Sequence, residues 1–458
     1  MRHGQDGQSL LLACVFLLVL SGAFVFLFDS GRLLVERVRL ANAADQTAYA
    51  VATQEARLFN LNAYINRAAI ANQLAVAQEL SIASWAEFTQ PLPTRTTPLL
   101  VPPLTPIGAP INQASQMLAT GMAAIPDLMG VLILQNQAAN RLLASHQRLL
   151  DTTYWPFLLR DTPGTVLRAS GLDGEGVTAR YVSTTQLPSR WLARYAGDAR
   201  QRLAPVLMAS RDPFSRARHR IDESVTLGAG KCSVWTPNVP WFDLRKRGGT
   251  GLLGLDEWKA MDTFSLHAYT GYWKSRRFRL PKWVCSHSEY PLAFGSAAIN
   301  TQNGDFDARS GNDFDGSWGV NERASGASRL YIPHFDVREG GKALSPAVPE
   351  FYDLSPSTLG ETAPVLPVVI RVARSAAGLP LTDHVSALKV GRSLEMYEST
   401  TRNELSALAR AEVYFQRPPE DFLNQGKEEA PSLLNPYWRV RMAEPASADR
   451  LAPTVPMP

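Results

Sequence analysis

Cysteine is scarce: the chain carries only Cys14, Cys232 and Cys285, which excludes a disulfide-dense scaffold. Charge is thin as well. Asp, Glu, Lys and Arg make up 19% of the 458 residues, and the formal net charge is +4. A nucleic-acid binder shows a stronger basic footprint, so no nucleic-acid partner is expected. The runs Arg245-Lys246-Arg247 and Lys274 to Arg279 read as solvated loops. The chain also lacks the G-x-S-x-G, H-E-x-x-H and G-x-x-x-x-G-K-[ST] patterns, and its seven histidines are scattered. Nucleophilic, metalloprotease and P-loop chemistry therefore have no motif to stand on. No catalytic residue is assigned, and the expectation is that the protein is not an enzyme.

The sharpest absence is local. Residues 9–28, SLLLACVFLLVLSGAFVFLF, contain no charge, and about 20 apolar helical residues suffice to cross the hydrocarbon core of a bilayer. A secretory signal would need a small-x-small cleavage site. Ser21-Gly22-Ala23 is one, but FVFLF still follows it. A buried core helix is the other alternative, and length and lack of charge weigh against it. Basic residues flank the segment unevenly, Arg2 on one side against Arg32, Arg37 and Arg39 on the other. Counted literally, this keeps the carboxyl side cytoplasmic, although long domains translocate largely regardless of charge.

The helix is expected to continue past the membrane. The apolar or small residues Leu34, Val38, Ala41, Ala44, Ala48, Val51, Ala52, Leu58, Phe59, Ile65, Ala69, Leu74, Ala77, Leu80 and Ser84 recur at three-to-four spacing, with no Gly or Pro between Arg32 and Phe88. One stripe on an α-helix has this period, and an unbroken helix over 9–88 would be roughly 120 Å long. Asn42, Asn60, Asn62, Asn66 and Asn72 are spaced along it. Buried amides at such positions can set register between associating helices, or else they line the solvent face.

Residues 89–111 hold seven prolines and read as an extended connector, since proline removes a donor and fixes φ. Helical spacing returns over 112–224, with helices expected to about Asp151 and over Leu187 to Ser210. From 225 to 445, runs rich in Val, Thr, Tyr, Phe and Trp alternate with turn residues, the signature of strands. Residues 446–458 read as a flexible tail. The fold class is α+β: a single amino-terminal transmembrane helix (9–28, after a short cytoplasmic segment 1–8) continues into a stalk helix (29–88). After it come a helical bundle segment and a β-rich carboxyl-terminal domain.

Cys232 and Cys285 stand outside the apolar segment as a candidate disulfide, with two free thiols as the alternative; closing a loop of about 54 residues adds roughly 4 kcal/mol in the chain-entropy account. In the loop 303–322, Asp313, Asp315, Ser317 and Glu322 fall at calcium-loop positions three, five, seven and twelve around Gly316. Calcium takes several hard oxygens gathered by such a turn, yet the first position is Gly311, and a turn-rich surface excursion is the simpler account. Asp353-Leu354-Ser355-Pro356-Ser357 has the letters of a metal-adhesion motif, but Pro356 interrupts it and a capped turn is the simpler account. Zinc at Cys232, Cys285, His267 and His287 lacks structural-site spacing. The tryptophans Trp235, Trp241, Trp258, Trp273, Trp283 and Trp318 are read as core, with an exposed ligand platform as the alternative.

Gly7-Gln8-Ser9 before the apolar run, Asp29-Ser30-Gly31-Arg32 after it, and Leu40-Ala41-Asn42-Ala43-Ala44-Asp45 at the start of the stalk together resemble the TadE/TadG-like proteins of tight-adherence (Flp, type IVb) pilus systems. Ala411 to Pro418 and Asn435 to Met442 look like the carboxyl end of large TadG-like proteins. The resemblance implies a single-pass protein of the bacterial inner membrane, periplasmic in bulk, whose partners are the lipid bilayer and other pilus-assembly proteins or pilins. It implies a non-catalytic role in pilus assembly or adhesion. An adhesin or ligand-binding module is the alternative, and an anchored periplasmic enzyme a third. Unlike a processed pilin, the chain has Leu12, not Glu, fifth after Gly7. It lacks the costly intramembrane carboxylate, which implies an uncleaved assembly factor.

Overall fold

The structure, a computed structural model, describes residues 6–97, 105–174, 176–186, 191–218, 220–225, 231–235, 237–277, 279–299, 320–321, 323–324, 335–337, 345–356, 364–375, 379, 404–417 and 430–455. A long amino-terminal helix, further helices and then a strand-rich region follow one another along the chain, as expected for the α+β class. Helix α1 runs unbroken over Asp6–Thr89, since nothing in its sequence from Arg32 onward breaks it. Next come α2 (Leu92–Thr96), α3 (Thr105–Met122), α4 (Ile125–Leu149), a π turn (Leu150–Tyr154) and α5 (Trp155–Ala169).

The chain divides into two compact units: one of Met1–Tyr64, Gln147–Ala193 and Tyr352–Pro458, the other of Ile65–His146 and Arg194–Phe351. The division falls inside α1, α4 and the strands β2 (Leu192–Tyr195) and β8 (Phe351–Leu354).

The first unit contains a five-stranded antiparallel sheet in the order β11-β10-β9-β1-β12. Its strands are β1 (Val177–Val182), β9 (Val365–Ser375), β10 (Glu404–Phe415), β11 (Trp438–Ala443) and β12 (Thr454–Val455). Alternation puts Leu366, Val368, Ile370 and Val372 of β9 in one core with Ala407, Ala409, Ala411 and Val413 of β10. Leu40, Ala43, Ala44, Ala48, Val51, Ala52 and Phe59 of α1 fill the rest, with Trp155 and Leu159 of α5. Alanine on both faces lets backbone lie close to backbone, and the larger β9 side chains fill the remaining space. The ring of Phe59 meets Trp438 edge-on at 4.9 Å.

The second unit is built on a sheet in the order β3-β4-β5-β6-β7, antiparallel except for β6 and β7. It comprises β3 (Arg220–Val225), β4 (Pro240–Leu253), β5 (Glu257–Arg276), β6 (Arg279–Ile299) and β7 (Phe335–Val337). Here α1 approaches β6 so closely that a Cβ on Gly295 would collide with the backbone at Ser84 and Phe88. Only glycine fits that crossing.

Several expectations are corrected. Residues 89–111 are not all extended: Pro91 precedes the short α2, and α3 opens at Thr105 with Pro106 in its first turn, where proline costs nothing. The helix expected over Leu187 to Ser210 is instead β2, a 3-10 turn (Gly197–Arg202) and α6 (Ala204–Ser210). Gly197, at φ +57°, and Pro205 divide it. The region 112–224 thus contributes strands β1, β2 and β3, and the strands of 225–445 are shared among three sheets, β8 with β2 making a two-stranded one, rather than forming one domain. Residues 446–455 are ordered, not frayed: α7 (Ser447–Leu451) is tied by Asp449 to Arg410 at 2.9 Å, and β12 pairs with β1.

Candidate functional site: the amino-terminal helix and the second sheet

Along α1 from Leu10 to Leu27 every side chain is exposed, with Leu12 at 74% and Phe24 at 65%. No described residue buries this apolar surface, and its length and composition suffice to cross a membrane. A second stretch, Gly108–Ala169, also reaches that length and composition, but it buries Ile133, Trp155 and Leu159 inside the chain. At the end of the apolar run the Arg32 guanidinium lies 4.4 Å over the Phe28 ring, while Asp29 is buried. One turn on, Glu36 receives Arg39 at 3.3 Å and Arg374 at 2.9 Å. An open cleft of about 580 Å³ runs past Phe28, Gly31, Arg32, Val35 and Glu36. Gly7, Gln8 and Ser9 lie in the first turns of α1; Ala43 and Ala44 are core residues, whereas Asn42 and Asp45 face outward.

The amides proposed for lateral association are largely spent within the chain. Asn60 brackets the backbone of Trp438, donating Nδ2–H to its carbonyl and accepting its N–H, both at 3.0 Å. Asn62 is buried and donates to Leu58 O at 3.1 Å, Asn66 is buried, and Asn72 donates to Asn140 Oδ1 at 3.3 Å. The sequence showed an Asn stripe, but the sheet and helices that consume it come from far along the chain. Among the five, Asn42 is the exposed one.

The second sheet buries a charged network. Asp262, fully buried, accepts from Arg218 Nε at 2.9 Å, from Ser84 Oγ at 2.8 Å and from Lys246 Nζ. Burial alone would raise its pKa, but the Arg218 and Lys246 charges outweigh burial and hold it below the usual carboxylate value. Arg218 spends its other protons on Thr250 Oγ1 (3.0 Å) and Gly249 O (2.7 Å). Ser81 reaches Thr250 at 2.6 Å, and the Trp258 indole donates to Gln73 at 3.0 Å. Asp262, Arg218 and Lys246 thus satisfy one another within the chain, and the network reads as architecture.

Cys232 and Cys285 are joined in a disulfide, Cα to Cα 5.5 Å, which removes both thiolates from any zinc set. His267 and His287 stack, with Nδ1 of one 2.8 Å from Nε2 of the other, and Asn321 lies at 3.2 Å from His267 Nε2. Among the described residues no cluster of His, Cys, Asp and Glu could hold a metal. The calcium candidates Asp313, Asp315, Ser317 and Glu322 lie outside the described residues. Asp353 is buried and accepts from the Leu354 and Leu433 amides, each at 2.8 Å, the role of a turn-capping carboxylate.

The tryptophans split. Trp258 is fully buried and Trp241 donates to Asp243 at 2.7 Å. Trp235 is 91% exposed and Trp273 53%. Lys274, Arg276 and Arg277, expected on a loop, instead cap a long paired hairpin: β5 and β6 remain in register out to Trp273↔Trp283, Lys274↔Lys282 and Arg276↔Arg279. Pairing with β4 ends at Thr270. One signal could have shown this in the sequence: no Asp or Glu occurs between Asp262 and Glu289.

Residues 7–54 match the family model of Tad, described as Flp pilus-assembly TadE/G-like. The match covers the apolar segment, the Asp29–Arg32 step and the first stretch of the stalk. No curated protein and no solved structure matches the chain.

Proposed function

We propose that the protein is a membrane-anchored, non-catalytic accessory protein of Flp-type pilus assembly, held in the inner membrane by one pass of α1 with the rest of the chain in the periplasm. One observation carries this reading: the Tad match coincides with an apolar helix that its own fold leaves uncovered from Leu10 to Leu27. Its partners would be the bilayer and other pilus-assembly proteins or pilins. The disulfide between Cys232 and Cys285 supports the periplasmic side, because such bonds persist in oxidising compartments. That side is also where long domains go irrespective of flanking charge.

The exposed Trp235 and Trp273 favour a second reading, an adhesin whose aromatic surface engages a ligand. Deletion of the gene separates the two. Loss of piliation with surface binding per cell unchanged supports assembly; intact pili with lost attachment supports the adhesin. Extraction of the full-length native protein by carbonate, or resistance to protease added to spheroplasts, would overturn the anchored, periplasmic arrangement.

A further inference from the structure

The far end of the β5–β6 hairpin combines features that a core or an idle loop does not need. Beyond Thr270 the two strands leave β4 behind and, among the described residues, pair with each other alone. Lys274, Arg276, Arg277 and Lys282 are exposed there, and the nearest acidic residues in sequence are Asp262 and Glu289, the first enclosed by Arg218 and Lys246, the second accepting from Ser265 and the Ala324 amide. On the same hairpin large apolar groups face water, Leu280 at 88% exposure and Trp273 at 53%, and a loop tied to it carries Trp235, 91% exposed.

Trp235 is not on the hairpin, yet the structure fastens its loop there by three links. Cys232 is bonded to Cys285, the Trp283 indole donates to Cys232 O at 3.1 Å, and the Asn238 amide donates to Gly271 O at 2.8 Å. Gly271 is required beneath this arrangement, because a Cβ there would enter the Trp283 ring. The loop that carries Trp235 is therefore held against the hairpin.

We propose that this hairpin end is a docking surface for an anionic lipid bilayer, with Trp235, Trp273 and Leu280 entering the headgroup boundary and Lys274, Arg276, Arg277 and Lys282 meeting lipid phosphates. Tryptophan favours that boundary because its ring is apolar and its N–H polar. Lys and Arg add attraction to an anionic leaflet. The ribbon has two open edges, so its tip reaches only the hydrated headgroup boundary, where water still meets the outward-facing amides. Leu280 decides between lipid and a charged polymer: a soluble polyanion offers nothing to an exposed aliphatic side chain, whereas acyl chains do.

The test uses the full chain in nanodiscs of phosphatidylcholine, mixed with separate vesicles and floated. Wild type should co-float with vesicles of phosphatidylethanolamine and phosphatidylglycerol and not with phosphatidylcholine vesicles. Changing Lys274, Arg276, Arg277 and Lys282 together to Ser should weaken partitioning on the order of 100- to 1,000-fold. The double variant Trp235→Ser/Leu280→Ser alters only exposed groups. It should fold with an unchanged unfolding midpoint, still bind at low salt, and lose the fraction that survives high salt. Equal binding to phosphatidylcholine vesicles, or unchanged binding by both variants, would overturn the proposal. So would capture by dextran sulfate, insensitive to Trp235→Ser/Leu280→Ser and without vesicle binding, which would make the tip a polyanion site.

Discussion

The same helix makes two unlike contacts. In the first unit, α1 presents Leu40, Ala44, Ala48, Val51 and Phe59 to Leu366, Val368 and Ile370, with Ala407 and Ala409 beside them. In the second, Ser81 and Ser84 of α1 reach Thr250 and a buried Asp262 clamped by Arg218 and Lys246. Apolar contact is non-directional and scales with the area removed from water, so it tolerates small shifts. A buried ion network does the opposite. Its desolvation cost is offset only while every partner is in place, so it fixes one register of helix on sheet. Gly295, under the backbone of Ser84 and Phe88, adds a steric check to that electrostatic one.

The contrast can be broken at its strongest point first. Asp262→Ala leaves Arg218 and Lys246 facing each other without a counter-charge and should cost about 3–5 kcal/mol, read from denaturant unfolding of the full chain. Loss of less than about 1 kcal/mol would mean that water enters the site and the network carries little. On the apolar side, Ile370→Ala should cost about 2–4 kcal/mol. Unlike Asp262→Ala, this loss should be independent of ionic strength and of pH.

The smallest effect concerns two carboxyls on α1 that, among the described residues, have no cationic partner like those of Asp262. Glu55 is wholly buried, neither oxygen has a hydrogen-bond partner among the described residues, and burial pushes its pKa well up. Glu79 is pushed up to about 7 by burial, against a lowering hydrogen bond from Asn136. Both folded-state values lie above the unfolded ones, so folding keeps protons that the unfolded chain releases. Their contribution is complete below about pH 4.5 and is lost as pH rises, for Glu79 through about 7. Unfolding midpoints should therefore fall between pH 5 and 7.5, and Glu55→Gln/Glu79→Gln should flatten that slope. A double variant with the wild-type slope would place the titration elsewhere. Asp262 has the opposite sign: its depressed pKa stabilises above about pH 4 and the benefit is lost as pH falls.

How much of this could be read from the letters differs by element. The span of α1 could be, within a few residues at each end, because twenty uncharged residues and an uninterrupted three-to-four stripe are local signals. Strands such as Val365–Ser375 and Glu404–Phe415 announce themselves by alternation and composition. The helix expected over Leu187 to Ser210 failed because Gly197 and Pro205 outweighed the apolar spacing. The tail misled because Asp449 finds its partner at Arg410, 39 positions away. The charged residues of the hairpin end were visible, but their placement on a paired strand end beside Trp235 depends on β5 and β6 outrunning β4.

Sequence alone determined the uncharged amino-terminal segment, the continuity of the helix behind it, the strand-rich later half and the Tad-like signature over the first stretch, since each rests on neighbours within a few turns. Tertiary structure alone decided that Asn60 serves Trp438, that the strands divide into three sheets, that Asp262 sits between two cations, and that Trp235 is tied to the hairpin. Those outcomes depend on groups distant in the chain competing for the same partner, and local spacing holds no record of which one wins.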